Sequence, residues 1–178
     1  MAASTVSIPA IITPQIYRNA EFGIELPVPQ GSVLCPALPG EHDHGPLFLL
    51  RTDSAKGCND PEGNRTFGVF ASFNAASATS TVSKYVSVAC KETYQGKCRS
   101  APRNLGFEGH PSMAVMADLA GGWIDISVVC QAGKPDQEYH PSQKVNYEAI
   151  LHTRAQYLEG DLRIFRTFLK TIRLSPAP

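Results

Sequence analysis

From the amino end onward, apolar side chains recur at every second residue in several short runs, each bounded by turn-forming residues. Phe22-Gly-Ile-Glu-Leu26 alternates apolar with small or polar positions, as a strand with one buried face does. Pro27 and Pro29 close that run, because proline has no amide proton to give to a ladder. Gly31–Cys35 and Leu47–Arg51 are strand candidates on either side of a loop running from Pro36 to Pro46. Thr66–Phe73 repeats the alternation, with Phe67, Val69, Ala71 and Phe73 on one face. The period then lengthens. Val82, Tyr85, Val86 and Ala89 fall at i, i+3, i+4 and i+7, the stripe of an amphipathic helix, with Ser80 or Thr81 ahead to cap its free amides.

Met113–Leu119 and Trp123–Cys130 are two more strands, and the intervening Ala120-Gly-Gly122 makes them a hairpin. Asn146–Arg154 reads as a long strand with Tyr147, Ala149 and Leu151 on one side. The last helix has an apolar stripe of Leu158, Leu162, Phe165, Leu169 and Ile172, and a basic face of Arg163, Arg166, Lys170 and Arg173. Gly160 and Asp161 mark its expected start, with Asp161 placed to cap the helix and to favour the positive end of its dipole. Strands joined by short loops, with about two helices, predict a single α+β domain: an antiparallel β-sheet flanked by those helices. Residues 1–13 read as a flexible leader and 14–178 as the domain.

A chain of 178 residues buries enough surface to fold without a metal or a disulfide. Its 16 basic and 16 acidic side chains cancel, which removes a broad electrostatic pull toward nucleic acid or anionic lipid. No apolar run is long enough to span a membrane as a helix. The opening Met1-Ala-Ala-Ser-Thr-Val-Ser lacks the basic and apolar regions of a secretion signal, which taken alone favours the cytoplasm.

The cysteines point the other way. Five of them, Cys35, Cys58, Cys90, Cys98 and Cys130, are many for a cytosolic chain, and none forms a Cys-x-x-Cys pair. Four cysteines allow three pairings. Proximity favours Cys35 with Cys58 and Cys90 with Cys98, leaving Cys130 as a buried thiol in an apolar strand. The expected compartment is therefore periplasmic or extracellular, with a leader already removed, and the cytoplasm is the alternative. Asn64-Arg-Thr66 is a potential glycosylation acceptor.

Two segments resemble the pattern of PsbP-like domains. Tyr17-Arg-Asn-Ala-Glu-Phe-Gly-Ile-Glu-Leu-Pro-Val-Pro29 is similar to their opening, an aromatic and a glycine entering a strand that ends in prolines. Val145-Asn-Tyr-Glu-Ala-Ile-Leu-His152, followed by Leu158–Leu174, is similar to their closing strand, helix and apolar tail. The resemblance implies a central antiparallel sheet flanked by helices and a role in binding protein partners. It carries no catalytic constellation, so no catalytic residue and no cofactor is expected.

The residues richest in potential chemistry are Glu41-His42-Asp43-His44, a run of imidazole and carboxylate ligands. His42 and His44 would need a remote third ligand, such as His110, His140 or His152. Without one, the cluster is a polar loop of the kind that contacts a partner. A thiol reading places Cys35 near His42 and Asp43 as nucleophile, base and orienter. Paired carboxylates could come from Glu108, Asp118, Asp125, Glu138 and Glu148. Serine-elbow and phosphate-loop motifs do not occur. Trp123 reads as a core anchor.

The expected function is thus a non-catalytic, exported protein-binding domain. One form of it is an immunity or inhibitor protein that plugs a toxin or enzyme with the loops Pro36–Pro46, Asp53–Arg65 or Gly133–Ser142. The alternatives are a metal- or thiol-dependent hydrolase using Glu41–His44 or Cys35, and a small-ligand carrier.

Overall fold

The computed structural model describes residues 15–37, 42–50, 57–59, 61–73, 81–132 and 145–175. The expected leader, Glu41, His140, Glu138, Ser80 and the loop Gly133–Ser142 lie outside them. Seven antiparallel strands form the main sheet: β3 (Ser32–Cys35), β4 (Leu47–Leu50), β5 (Thr66–Phe73), β6 (Cys98–Ser100), β7 (Ser112–Asp118), β8 (Trp123–Ala132) and β9 (Val145–Arg154). Their spatial order is β3-β4-β5-β9-β8-β7-β6. The longest strands, β8 and β9, therefore sit near the centre, with the short strands β3 and β6 at the edges.

A second sheet joins the two ends of the chain. Strand β2 (Ile24–Pro27) pairs with β1 (Ile16–Asn19) on one side and β10 (Arg173–Leu174) on the other. Sequence periodicity misses β1, β6 and β10, because strands of two to four residues carry too few alternations to be seen.

One face of the main sheet is apolar. Phe67, Val69 and Ala71 on β5 lie opposite Leu151, Ala149 and Tyr147 on β9, and these in turn oppose Ile126, Val128 and Cys130 on β8. All nine are buried. Helix α2 (Leu158–Thr171) covers this face with Leu162, Phe165, Phe168 and Leu169, while the small sheet adds Ile24 and Leu26 and the turn before β2 adds Phe22. The ring of Phe168 meets Phe67 edge-on at 4.9 Å and Phe48 at 5.7 Å between centroids. Such pairs add to the burial of their area.

Three expectations are corrected here. Asp161 does not cap α2: the helix begins at Leu158, and Asp161 turns inward, 4 % exposed. There it accepts two hydrogen bonds from Arg65 Nη1, at 3.0 and 3.1 Å, and one from Thr153 Oγ1. Asn64 is buried at 2 % exposure, which removes it as a surface glycan acceptor. Trp123 is half-buried outside the core, with His152 stacked on one face at 4.3 Å and the Arg154 guanidinium over the ring at 4.4 Å.

The opposite face of the sheet carries helix α1 (Val82–Glu92), capped by Thr81, whose Oγ1 accepts a hydrogen bond from the Lys84 amide. Of its predicted stripe only Val86 is fully buried. Beneath it runs a polar row. Its members share strand parity: Asp125 and Ser127 on β8, Glu148 and His152 on β9.

Candidate functional site

A cavity of about 690 Å³ opens where the end of β3 meets the turn into β4. Its walls come from residues 34–37, residues 42–47, the turn of Cys58, Asn59 and Pro61, Tyr17 of β1 and Phe70 of β5. Cys35 and Cys58 form a disulfide across one wall, with Cα atoms 5.4 Å apart. Cys90 and Cys98 form the second disulfide, with Cα atoms 5.8 Å apart, and Cys130 is a buried free thiol. Burial pushes the Cys130 thiol up to about 12.

The predicted polar loop lies flat against β5. The Ala71 amide donates to the His44 carbonyl at 2.7 Å, and His44 Nδ1 donates to the Ala71 carbonyl at 3.1 Å. The Val69 amide donates to the Pro46 carbonyl at 3.2 Å. Gly45 lies between these bonds at φ 142°, and a Cβ there would meet the Val69 carbonyl oxygen at 2.0 Å. Only glycine fits so close an approach.

Asp43 ties the loop to β1. Its Oδ2 accepts from the Tyr17 hydroxyl at 2.7 Å, its Oδ1 accepts from the Gly45 amide at 3.0 Å, and its carbonyl accepts from Asn19 Nδ2. Burial, with the Asp43 hydrogen bond added, raises the Tyr17 pKa well above its ordinary value. Tyr17 and Asn19 are partners that no motif announces. They could be found only by knowing that β1 passes beside this loop.

The imidazoles of His42 and His44 sit 6.4 Å apart between centroids. Among the described residues, no group of three or more His, Cys, Asp or Glu side chains is placed to hold a metal ion. His152, one expected third ligand, instead lies against Asp125, with Nδ1 and Oδ1 at 2.5 Å. The thiol reading is corrected directly. Cys35 has no thiolate to offer, because its sulfur is bonded to Cys58.

The candidate carboxylates separate. Asp118 pairs with Arg99 at 2.7 Å on the surface, and Glu108 with Arg173 at 3.5 Å. The Arg99 guanidinium holds the Asp118 carboxyl below the usual range. Asp125 and Glu148 come to the same side of the sheet, under α1. Glu148 accepts from Tyr85 at 3.3 Å and from Ser127 at 2.5 Å. Tyr94 hydrogen-bonds Asp125, and its pKa rises through burial and then through the charges of Asp125 and Glu148. Burial, followed by the charge of Glu148, pushes Tyr85 up to about 12. Each polar group in this row is spent on a neighbour. The alternation of β8 and β9 announces a polar face, but not that a helix covers it.

A seven-stranded antiparallel sheet, with one helix on each face and a small sheet joining the two chain ends, is a PsbP-like fold. The structure is similar to the solution structure of cyanobacterial PsbP (CyanoP) from Synechocystis sp. PCC 6803, with a TM-score of 0.50 and 13% sequence identity. That match covers 96% of this chain and 98% of the other. No family model matches the sequence. No curated protein matches it either. At this identity the likeness is one of fold, and function has to be argued from the site.

Proposed function

We propose that this chain is an exported, non-catalytic binding domain that receives a protein partner at the cleft between residues 34–37, residues 42–47 and the side chains of Cys58, Asn59 and Pro61. The observation that carries the reading is the cleft itself: about 690 Å³, with Leu34, Pro36, Ala37, Pro46, Leu47 and Phe70 among its lining. Its walls are held by the Cys35–Cys58 disulfide and by the inward hydrogen bonds of Asp43 and His44. Loops fixed in this way lose little freedom on binding, so contact energy goes into affinity. In its most specific form the partner is an enzyme or toxin whose active surface the loops occlude. Two disulfides support an oxidising, exported setting, where such bonds persist. Among the described residues no helix is long and apolar enough to cross a membrane.

Ala37 is exposed on the rim, so Ala37→Glu puts a charge at the apolar mouth without touching the core. Partner captured from the source organism's extract should bind this variant weaker by on the order of tenfold or more. Arg99→Ala, on the surface of edge strand β6 and outside the cleft, should retain the partner. Equal binding by Ala37→Glu and the parent, or an equal loss on Arg99→Ala, refutes the reading.

The volume favours a second reading, a small-ligand carrier, since ligand pockets run from about 300 to 1,000 Å³. Mass spectrometry of the native protein separates the two. A bound small molecule displaced by Ala37→Glu would select the carrier.

A further inference from the structure

Helix α1 is attached unlike any other element. It has 11 residues and fully buries one side chain, Val86. A helix of that length is marginal in water unless tertiary contacts hold it. Val82, Tyr85 and Ala89 are half-buried, and polar ties join Tyr85 to Glu148 and Ser72, and Tyr94, just past the helix end, to Asp125. One further tie is covalent. Cys90, in the last turn of α1, is bonded to Cys98, the first residue of β6. Strand β6 is itself a three-residue edge strand held by β7 alone.

The turn enclosed by this disulfide is under backbone strain. Gln95 has φ 53° and Gly96 φ 75°, two successive left-handed residues, one of them not glycine. Cys90 and Cys98 are both partly exposed, whereas the other disulfide joins a buried residue, Cys35 at 8 %, to the partly exposed Cys58.

From these observations we infer that the Cys90–Cys98 disulfide is a redox-operated catch that holds α1 over the polar row of Asp125, Ser127 and Glu148. A dithiol reductant supplies two electrons and two protons. The sulfur–sulfur bond breaks, Cys90 and Cys98 become thiols, and the reductant closes its own disulfide. Gln95 can then relax to an ordinary backbone angle. The short helix is left with Val86, its half-buried neighbours and the hydrogen bonds of Tyr85 and Tyr94, and the carboxylates beneath it open to solvent. The Cys35–Cys58 cleft and the apolar core are untouched, so the switch acts on one face only.

Hydrogen exchange on the full chain, before and after limited dithiothreitol treatment, tests this, with free sulfurs mapped by alkylation. Cys90 and Cys98 should label before Cys35 and Cys58. Amides of residues 82–97 should then exchange faster by on the order of tenfold or more, while β5, β9 and α2 stay unchanged. Opening of Cys35–Cys58 first, unchanged exchange over 82–97, or acceleration across the whole sheet would each overturn the proposal. The double variant C90S/C98S, kept oxidised, should show the same loosening without reductant. Exchange identical to the oxidised parent would equally overturn it.

Discussion

At Gly45 a single missing Cβ lets one strand-like loop touch another. The Val69 carbonyl occupies the place where any side chain would begin, 2.0 Å away. Gly45→Ala should therefore lift residues 42–46 off β5 and cost about 2 kcal/mol. Urea unfolding measures the loss, and an unchanged midpoint would mean that the approach is less tight than described. Asp161 is the second decisive residue. It pairs with Arg65 inside the protein and accepts from Thr153, so Asp161→Ala takes a carboxylate away from a buried guanidinium. A loss of about 3 kcal/mol is expected, seen as a lowered thermal midpoint. In the sequence Asp161 looks like a cap, since an acidic residue in the first turn of a helix ordinarily faces the dipole. What reverses that reading is Arg65, 96 residues away.

Between elements the contrast lies in how the two helices are held. Helix α2 is fixed by rings: Phe168 alone meets Phe48, Phe67 and Phe165. Phe168→Ala should cost about 3 to 5 kcal/mol, because the surrounding rings cannot collapse fully into the space. A change under 1 kcal/mol in the denaturation free energy would contradict that packing. Both helices are legible from periodicity, and α2 shows its buried stripe correctly at Leu162, Phe165, Leu169 and Ile172. For α1 the same stripe misleads. Tyr85 lies over Glu148 and Ser127 rather than over an apolar floor, and the identity of that floor comes from β8 and β9. Trp123 misleads for a similar reason: His152 stacks on it and the Arg154 guanidinium lies over its ring, both from the neighbouring strand.

For the whole molecule, buried tyrosines set an alkaline limit. Tyr85 is pushed up to about 12, and Tyr17, Tyr94 and Tyr147 are raised as well, each chiefly by burial. A folded pKa above the unfolded value of 10.0 means that the folded state keeps its proton longer. Stability from these groups is complete below about pH 10 and falls as pH rises toward 12 and beyond, because the unfolded chain ionises first. Denaturation midpoints compared at pH 9 and pH 11 check this, and the tyrosinate absorbance of these four should come mainly with unfolding. The Cys130 thiol should likewise ignore a thiol reagent until the sheet opens. Local alternation and helical period, which depend on neighbours a few residues apart, were enough to reveal the long strands, both helices and the α+β class. Proximity along the chain was also enough to suggest which cysteines meet. The pinning of Asp43 by Tyr17, the burial of Asp161 and Asn64, the closing of β2 with β10 and the roofing of Asp125 and Glu148 by α1 all join distant segments. Those choices belong to the tertiary structure, because the free energy of a polar side chain depends on which remote group takes its hydrogen bond.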